Sequence, residues 1–140
     1  MAAKNRGTPL PEPILVIHKA VFWVGSARRD LRGFSRDVRR VMGYALYRAE
    51  LDQTHPKAKP LRHLVDGSVT EIVENDASGT YRVVYTVEFK EALYVLHAFQ
   101  KKSKRGISTP RHELDTVRRR HLFAQQHYAK WRKEQDEKHT

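Results

Sequence analysis

The sequence predicts an α+β fold: a short strand, two helices, a three-stranded antiparallel meander and a last helix. Three observations carry this. Val69 to Glu74, Tyr81 to Glu88 and Ala92 to Gln100 read as consecutive strands. In the middle one, Tyr81, Val83, Tyr85 and Val87 alternate with Arg82, Val84, Thr86 and Glu88, the period of two of a strand with unlike faces. The connections, Asn75 to Gly79 and Phe89 to Glu91, are short and turn-forming, which makes neighbours antiparallel. Outside the meander, apolar residues recur at spacings of three and four, the mark of helices with one covered face. The helices are expected to cover one side of the meander and leave its other face, or its rim, for function.

Taken in order, Met1 to Lys19 is an extension that Pro9, Pro11 and Pro13 keep from regular structure, with Ile14 to Ile17 as a candidate edge strand. Ala20 to Val24 is an apolar strand stopped by Gly25. Ser26 is placed to cap a brief helix through Arg32, ended by Gly33. Ser35 is placed to cap a second helix. Its stripe is Val38, Val41, Met42, Ala45, Leu46 and Ala49, and His55-Pro56 is expected to close it. Lys57 to Leu64 reads as a basic linker. Thr109-Pro110 begins the last helix, with proline where a missing N–H costs nothing. Leu114, Val117, His121, Ala124, Tyr128 and Trp131 line its inner side. From Lys130 onward the chain is almost wholly polar and is expected to fray. The expected division is therefore an extension over 1–19, one domain over 20–128 and a charged tail over 129–140.

The chain has 140 residues, 39% of them hydrophobic, which suits one domain with a single core. Twenty-seven Lys and Arg against 16 Asp and Glu give a net charge of +11, and the pI is near 10.1. That balance favours a polyanionic partner such as RNA, DNA, an acidic protein or an anionic membrane. Cysteine is absent, which excludes disulfides, thiolate nucleophiles and cysteine zinc sites. No apolar run approaches the roughly 20 residues needed to cross a bilayer, so a cytoplasmic location without a membrane is expected. None of the eight histidines shows metal-ligand spacing, and no nucleotide-binding glycine loop or catalytic serine motif is present. Neither metal nor cofactor is expected.

The stretch that gathers chemistry is GTYRVVYTVEFKEALYVLHAFQKKSKR, residues 79–105. In a hairpin the start of the first strand lies beside the end of the second, about 5 Å away. Arg82 is thereby brought near His97 to Lys101, where Lys101, Lys102, Lys104 and Arg105 leave the sheet. Pairing Val87 with Leu93 sets Arg82 opposite Ala98. A slip of one residue sets it opposite His97. Besides simply lying solvated, Arg82 has two roles open to it: an ion pair with Glu71 across the sheet, or the grip on a phosphate. Cations packed together lower a lysine's pKa from the usual ~10.4. Such a lysine can take a proton from an RNA 2′-hydroxyl while Arg82 holds the phosphate. His97 is a second candidate for proton transfer, and Tyr85 a platform for base stacking.

WVGSARRDLRGF, KPLRHLVDG, YRVVYTV and VLHAFQKKSKRGISTP follow one another between Ala20 and His121. In that order they resemble the RelE/HigB superfamily of toxins, nearest its phage-derived HigB-like branch. The resemblance implies a small α+β fold with a curved sheet. It implies cleavage of mRNA, typically on the ribosome, by attack of a 2′-oxygen on the adjacent phosphate without metal. It assigns phosphate binding to Arg82, matches Lys101 and Lys102 to the basic residues at the end of the following strand and, more loosely, Lys59 to a basic residue ahead of the meander. Beside these, the residues themselves make His97 a catalytic candidate and Lys59, Tyr85, Gln100, Lys104 and Arg105 the expected RNA contacts. The implied partner is an antitoxin, usually a helix-turn-helix protein of the HigA type. This chain departs from RelE at Glu71 and Glu74, where RelE has basic residues. A ParE-like toxin that binds DNA gyrase, and a non-catalytic nucleic-acid-binding module, are the alternative readings.

Overall fold

The computed structural model describes residues 18–61, 67–101 and 109–139. The candidate strand Ile14 to Ile17 and the cations Lys102, Lys104 and Arg105 lie outside them. The elements are β1 (Ala20–Trp23), α1 (Ala27–Arg32), α2 (Arg36–Glu50), β2 (Lys59–Pro60), β3 (Val69–Asp76), β4 (Gly79–Thr86), β5 (Ala92–Lys101) and α3 (Arg111–Lys138). The meander β3–β4–β5 forms as expected. β1 adds to it in parallel beside β5, and β2, read from sequence as linker, adds antiparallel beside β3. The sheet order is β1-β5-β4-β3-β2.

Helices cover both faces of this sheet, not one. Phe34 and the α2 stripe of Val38, Met42, Ala45, Leu46 and Ala49 pack on Ile72, Tyr81, Val83, Tyr85, Leu93, Val95 and Ala98. On the opposite face, Leu114, Val117 and Ala124 of α3 pack with Val69, Val84, Tyr94, Leu96 and Phe99. The reason lies in β4 and β5, which are buried along nearly their whole length. Strands apolar on both faces must be covered on both. The second side chain of each pair, Val84, Leu96 or Phe99, supplies the second core.

The pairing of β4 with β5 keeps the first sequence register at Tyr85, opposite Val95, and departs from both registers beyond it. Arg82 opposes Phe99, Val83 opposes Ala98 and Val84 opposes His97, but Tyr85 opposes Val95. One residue of β5 is extra at this step, which is a β-bulge. Its consequence is directional: Leu96 packs in the α3-side core, and His97, the very next residue, also meets α3 through Glu113. Two consecutive side chains on one face is what a bulge permits and a regular strand forbids.

Helix ends also depart from the sequence reading. α2 stops at Glu50, five residues before His55, because Asp52 adopts a left-handed conformation (φ 60). The amides of Asp52 and Gln53 then close on Ala49 and Arg48 carbonyls. Ser26 and Ser35 make no capping bond. Their hydroxyls instead donate to Asp30 at 2.7 Å and Asp76 at 2.6 Å. α3 runs unbroken to Lys138 instead of fraying at Lys130. Trp131 packs edge-on against Phe22 with ring centroids 5.6 Å apart, and Arg132 pairs with Glu91 at 3.6 Å. The expected boundary at 128/129 therefore falls inside a continuous helix.

Candidate functional site

The registers place four of the expected site residues on the α3-facing side of the sheet. Lys59 opposes Glu71, Glu71 opposes Val84, and Val84 opposes His97. These four residues form one row across β2, β3, β4 and β5. Arg82 and Phe99 are opposed one step along, and Thr80 and Lys101 a further step along. Directly opposed residues share a face, so Lys59, Arg82, His97 and Lys101 all lie on the α3-facing side, with Lys59 three strands away from His97. Gln100 opposes Tyr81 on the other side and donates its amide to Ser78 O at 3.0 Å.

Arg82 is enclosed. Its side chain is 3% exposed, and Nη1 donates to Glu71 Oε2 at 3.0 Å and to Thr109 Oγ1 at 3.1 Å. Of the two roles open from sequence, the ion pair with Glu71 is the one this geometry shows. The Lys59 ammonium, more than half exposed, stands 3.9 Å from the other Glu71 oxygen. The chain leaves the sheet at Lys101 and is next described at Thr109, which touches Arg82. Thr109, the first residue described after it, is held on this side of the sheet by Arg82. Tyr85 packs in the α2-side core at 2% exposure, and burial pushes its phenol up to about 12. Its ring has no open face for a base, so the stacking role read from sequence does not fit.

Beside this row the bulge opens onto a cleft of about 450 Å³. Arg29 and Asp30 of α1, His97, Phe99 and Gln100 of β5, and Glu113 of α3 line it. Its lining residues Asp30, His97 and Glu113 are joined through Ser26 and Arg120 into a hydrogen-bonded chain. Ser26 Oγ donates to Asp30 and accepts from Arg120 Nη2 at 3.2 Å. Arg120 Nη1 donates to Leu96 O at 3.0 Å and to His97 Nδ1 at 3.2 Å. His97 Nε2 meets Glu113 Oε1 at 3.2 Å. Gly25, at φ +56, leaves room for this arginine: a Cβ there would stand 2.8 Å from its Cζ. Burial lowers the His97 pKa below 6.5, opposed by the Glu113 hydrogen bond and charge and aided by Arg120. The ring is neutral at neutral pH.

A family model described as Phage derived protein Gp49-like matches residues 29–121, about two thirds of the chain. The chain belongs to the Gp49-like family. This is the phage-derived branch to which the motifs from WVGSARRDLRGF to VLHAFQKKSKRGISTP pointed. Among solved structures, this Gp49-like chain is similar to the RelBE2 toxin–antitoxin complex from Mycobacterium tuberculosis. The TM-score is 0.44 and the identity 17%, over 65% of this chain and 100% of that one. No match was found among curated proteins. Among the described residues, no helix is long and apolar enough to cross a membrane, and no group of three His, Asp or Glu side chains could hold a metal ion.

Sequence reasoning missed Ser26, Asp30, Glu113 and Arg120. A signal for the last two was present. Glu113, Val117, Arg120 and Ala124 follow one another at spacings of four, three and four, so two charges sit on the stripe that faces the sheet. Charges on a buried stripe need partners, and a strand histidine is a suitable one.

Proposed function

We propose that this Gp49-like chain is the toxin of a toxin–antitoxin pair and cleaves mRNA, with the ribosome presenting the substrate. A 2′-oxygen attacks the adjacent phosphate, leaving a 2′,3′-cyclic phosphate and a 5′-hydroxyl. The observation that supports this most is that Lys59, Arg82, His97 and Lys101 share one side of the sheet, with His97 lining an open polar cleft. Lys59 and Lys101, with Lys102, Lys104 and Arg105 following in sequence, contact phosphates, whose charge draws Lys and Arg. Arg82 acts from beneath as a positioning residue, fixing Thr109 and Glu71. His97 lines the cleft, held between Arg120 and Glu113. Gln100 contacts the RNA from the cleft wall. The partner is an antitoxin of the helix-turn-helix, HigA type that covers these cations.

Induced expression with 5′-end mapping tests the reading. Wild type is expected to arrest growth and to create 5′-hydroxyl ends inside coding sequences. The double variant Lys59→Ala/Lys101→Ala is expected to keep its fold and lose most of both effects. Growth arrest with intact mRNA and DNA-damage signalling would replace this reading with the gyrase-directed one.

A further inference from the structure

Arg120 fixes the tautomer of His97. A guanidinium can only donate, so the His97 Nδ1 facing it at 3.2 Å is the acceptor. Nε2 then carries the ring proton and donates to Glu113 Oε1 at 3.2 Å. Both ring nitrogens are committed, and neither is left to take a proton from a substrate. Glu113 is in the opposite situation. Its Oε1 is held by His97, with His112 Nε2 3.5 Å away. Among the described residues, no hydrogen bond reaches Oε2. The carboxylate is partly exposed and lines the cleft of about 450 Å³. One oxygen anchored and the other open to a cavity is the arrangement of a base with its orienting partner.

The geometry points to Glu113 as the proton acceptor for an RNA 2′-hydroxyl, with His97 as its positioning residue. This rests on the RNA-cleaving reading above and names the group that moves the proton. Phe99 lines the same cleft, its ring stacked on the His97 ring at 5.0 Å. Arg29, at the cleft and 83% exposed, meets the phosphate. The Glu113 carboxylate takes the 2′-hydroxyl proton as the 2′-oxygen bonds to phosphorus. The bond from phosphorus to the 5′-oxygen breaks, its electron pair leaves on that oxygen, and solvent at the open mouth of the cleft supplies the proton. Glu113 later returns its proton to water. The β-bulge makes this possible, because without the extra residue His97 would point away from α3.

The test uses the full chain and a 5′-labelled mRNA in a translating extract. Glu113→Gln is expected to cut it about 10²-fold more slowly, or slower still, with RNA affinity and denaturation midpoint unchanged. Cleavage by Glu113→Ala is expected to recover on adding formate, which a purely structural carboxylate would not allow. Glu113→Gln cutting at the wild-type rate would overturn the assignment. So would loss of activity together with loss of fold and no recovery by formate. A wild-type chain that cuts no RNA overturns the parent reading instead, which keeps the two failures apart.

Discussion

Removing the Arg82 side chain leaves Glu71 ionised at 6% side-chain exposure, with only the Lys59 ammonium at 3.9 Å still facing it among the described residues. Breaking a buried pair from one side costs about 3–5 kcal/mol. Arg82→Ala is therefore expected to lose about that much in urea denaturation. Its inactivity would not by itself report catalysis. Arg82→Met with Glu71→Leu, which removes both charges, is expected to recover most of the stability. If Arg82→Ala unfolds at the wild-type midpoint, the pair is not what holds this side of the sheet. His97 gives a second prediction with a definite sign. Its folded pKa is lowered from 6.5, chiefly by burial, so the unfolded chain binds the proton more readily. The stabilising contribution of the neutral ring is complete above about pH 6.5 and is lost as pH falls through that value towards the folded one. Between about pH 7.5 and about pH 5.5, wild type is expected to lose more stability than His97→Gln. Equal losses would mean that His97 is not held neutral.

At the scale of elements, the bulge in β5 and the start of α1 are one device. Gly25 adopts φ +56 and lies against the Arg120 guanidinium, which ties Ser26, Leu96 and His97 together. Gly25→Ala is expected to cost about 1–2 kcal/mol for the left-handed backbone alone. It also pushes the guanidinium off His97, so activity falls with stability. Differential scanning calorimetry checks the first, and a wild-type midpoint would contradict it. Trp131 is the matching residue at the far end of α3. Trp131→Ala is expected to cost about 1–2 kcal/mol, less than a fully buried aromatic. The strands and the α2 stripe were legible because period-two alternation in Tyr81 to Thr86 and the 3,1,3,1,3 spacing from Val38 to Ala49 are local signals. The bulge was not, since one extra residue among Val95, Leu96, His97 and Ala98 leaves no mark in an all-buried run. That single step moved Arg82 from Ala98 to Phe99 and turned His97 towards α3. The second covered face was hidden for a related reason. The stripe of Leu114, Val117 and Ala124 was legible, but an apolar helix stripe does not announce which face of the sheet it will cover. Lys59-Pro60 was read as linker because two residues show no period at all.

The whole molecule carries a net charge of +11, and Arg28, Arg29, Arg32, Arg36, Arg39 and Arg40 of α1 and α2 are exposed. RNA binding should therefore weaken steeply with salt, the logarithm of the affinity falling by about 0.7 per phosphate contacted for each tenfold rise. Lys59→Ala is expected to make that slope shallower by about 0.7, read by filter binding across a salt series. An unchanged slope would take Lys59 out of the RNA interface. The candidate site was legible only in part: topology alone announced that Arg82, His97 and Lys101 would meet, but the burial of Arg82 and the engagement of both His97 nitrogens depend on α3. The measurement that tests the account most directly is transcriptome-wide mapping of 5′-hydroxyl ends after induction of wild type and Glu113→Gln. New ends throughout coding sequences in wild type, absent from the variant at equal protein level, are predicted. Growth arrest with no new ends in either strain would contradict it.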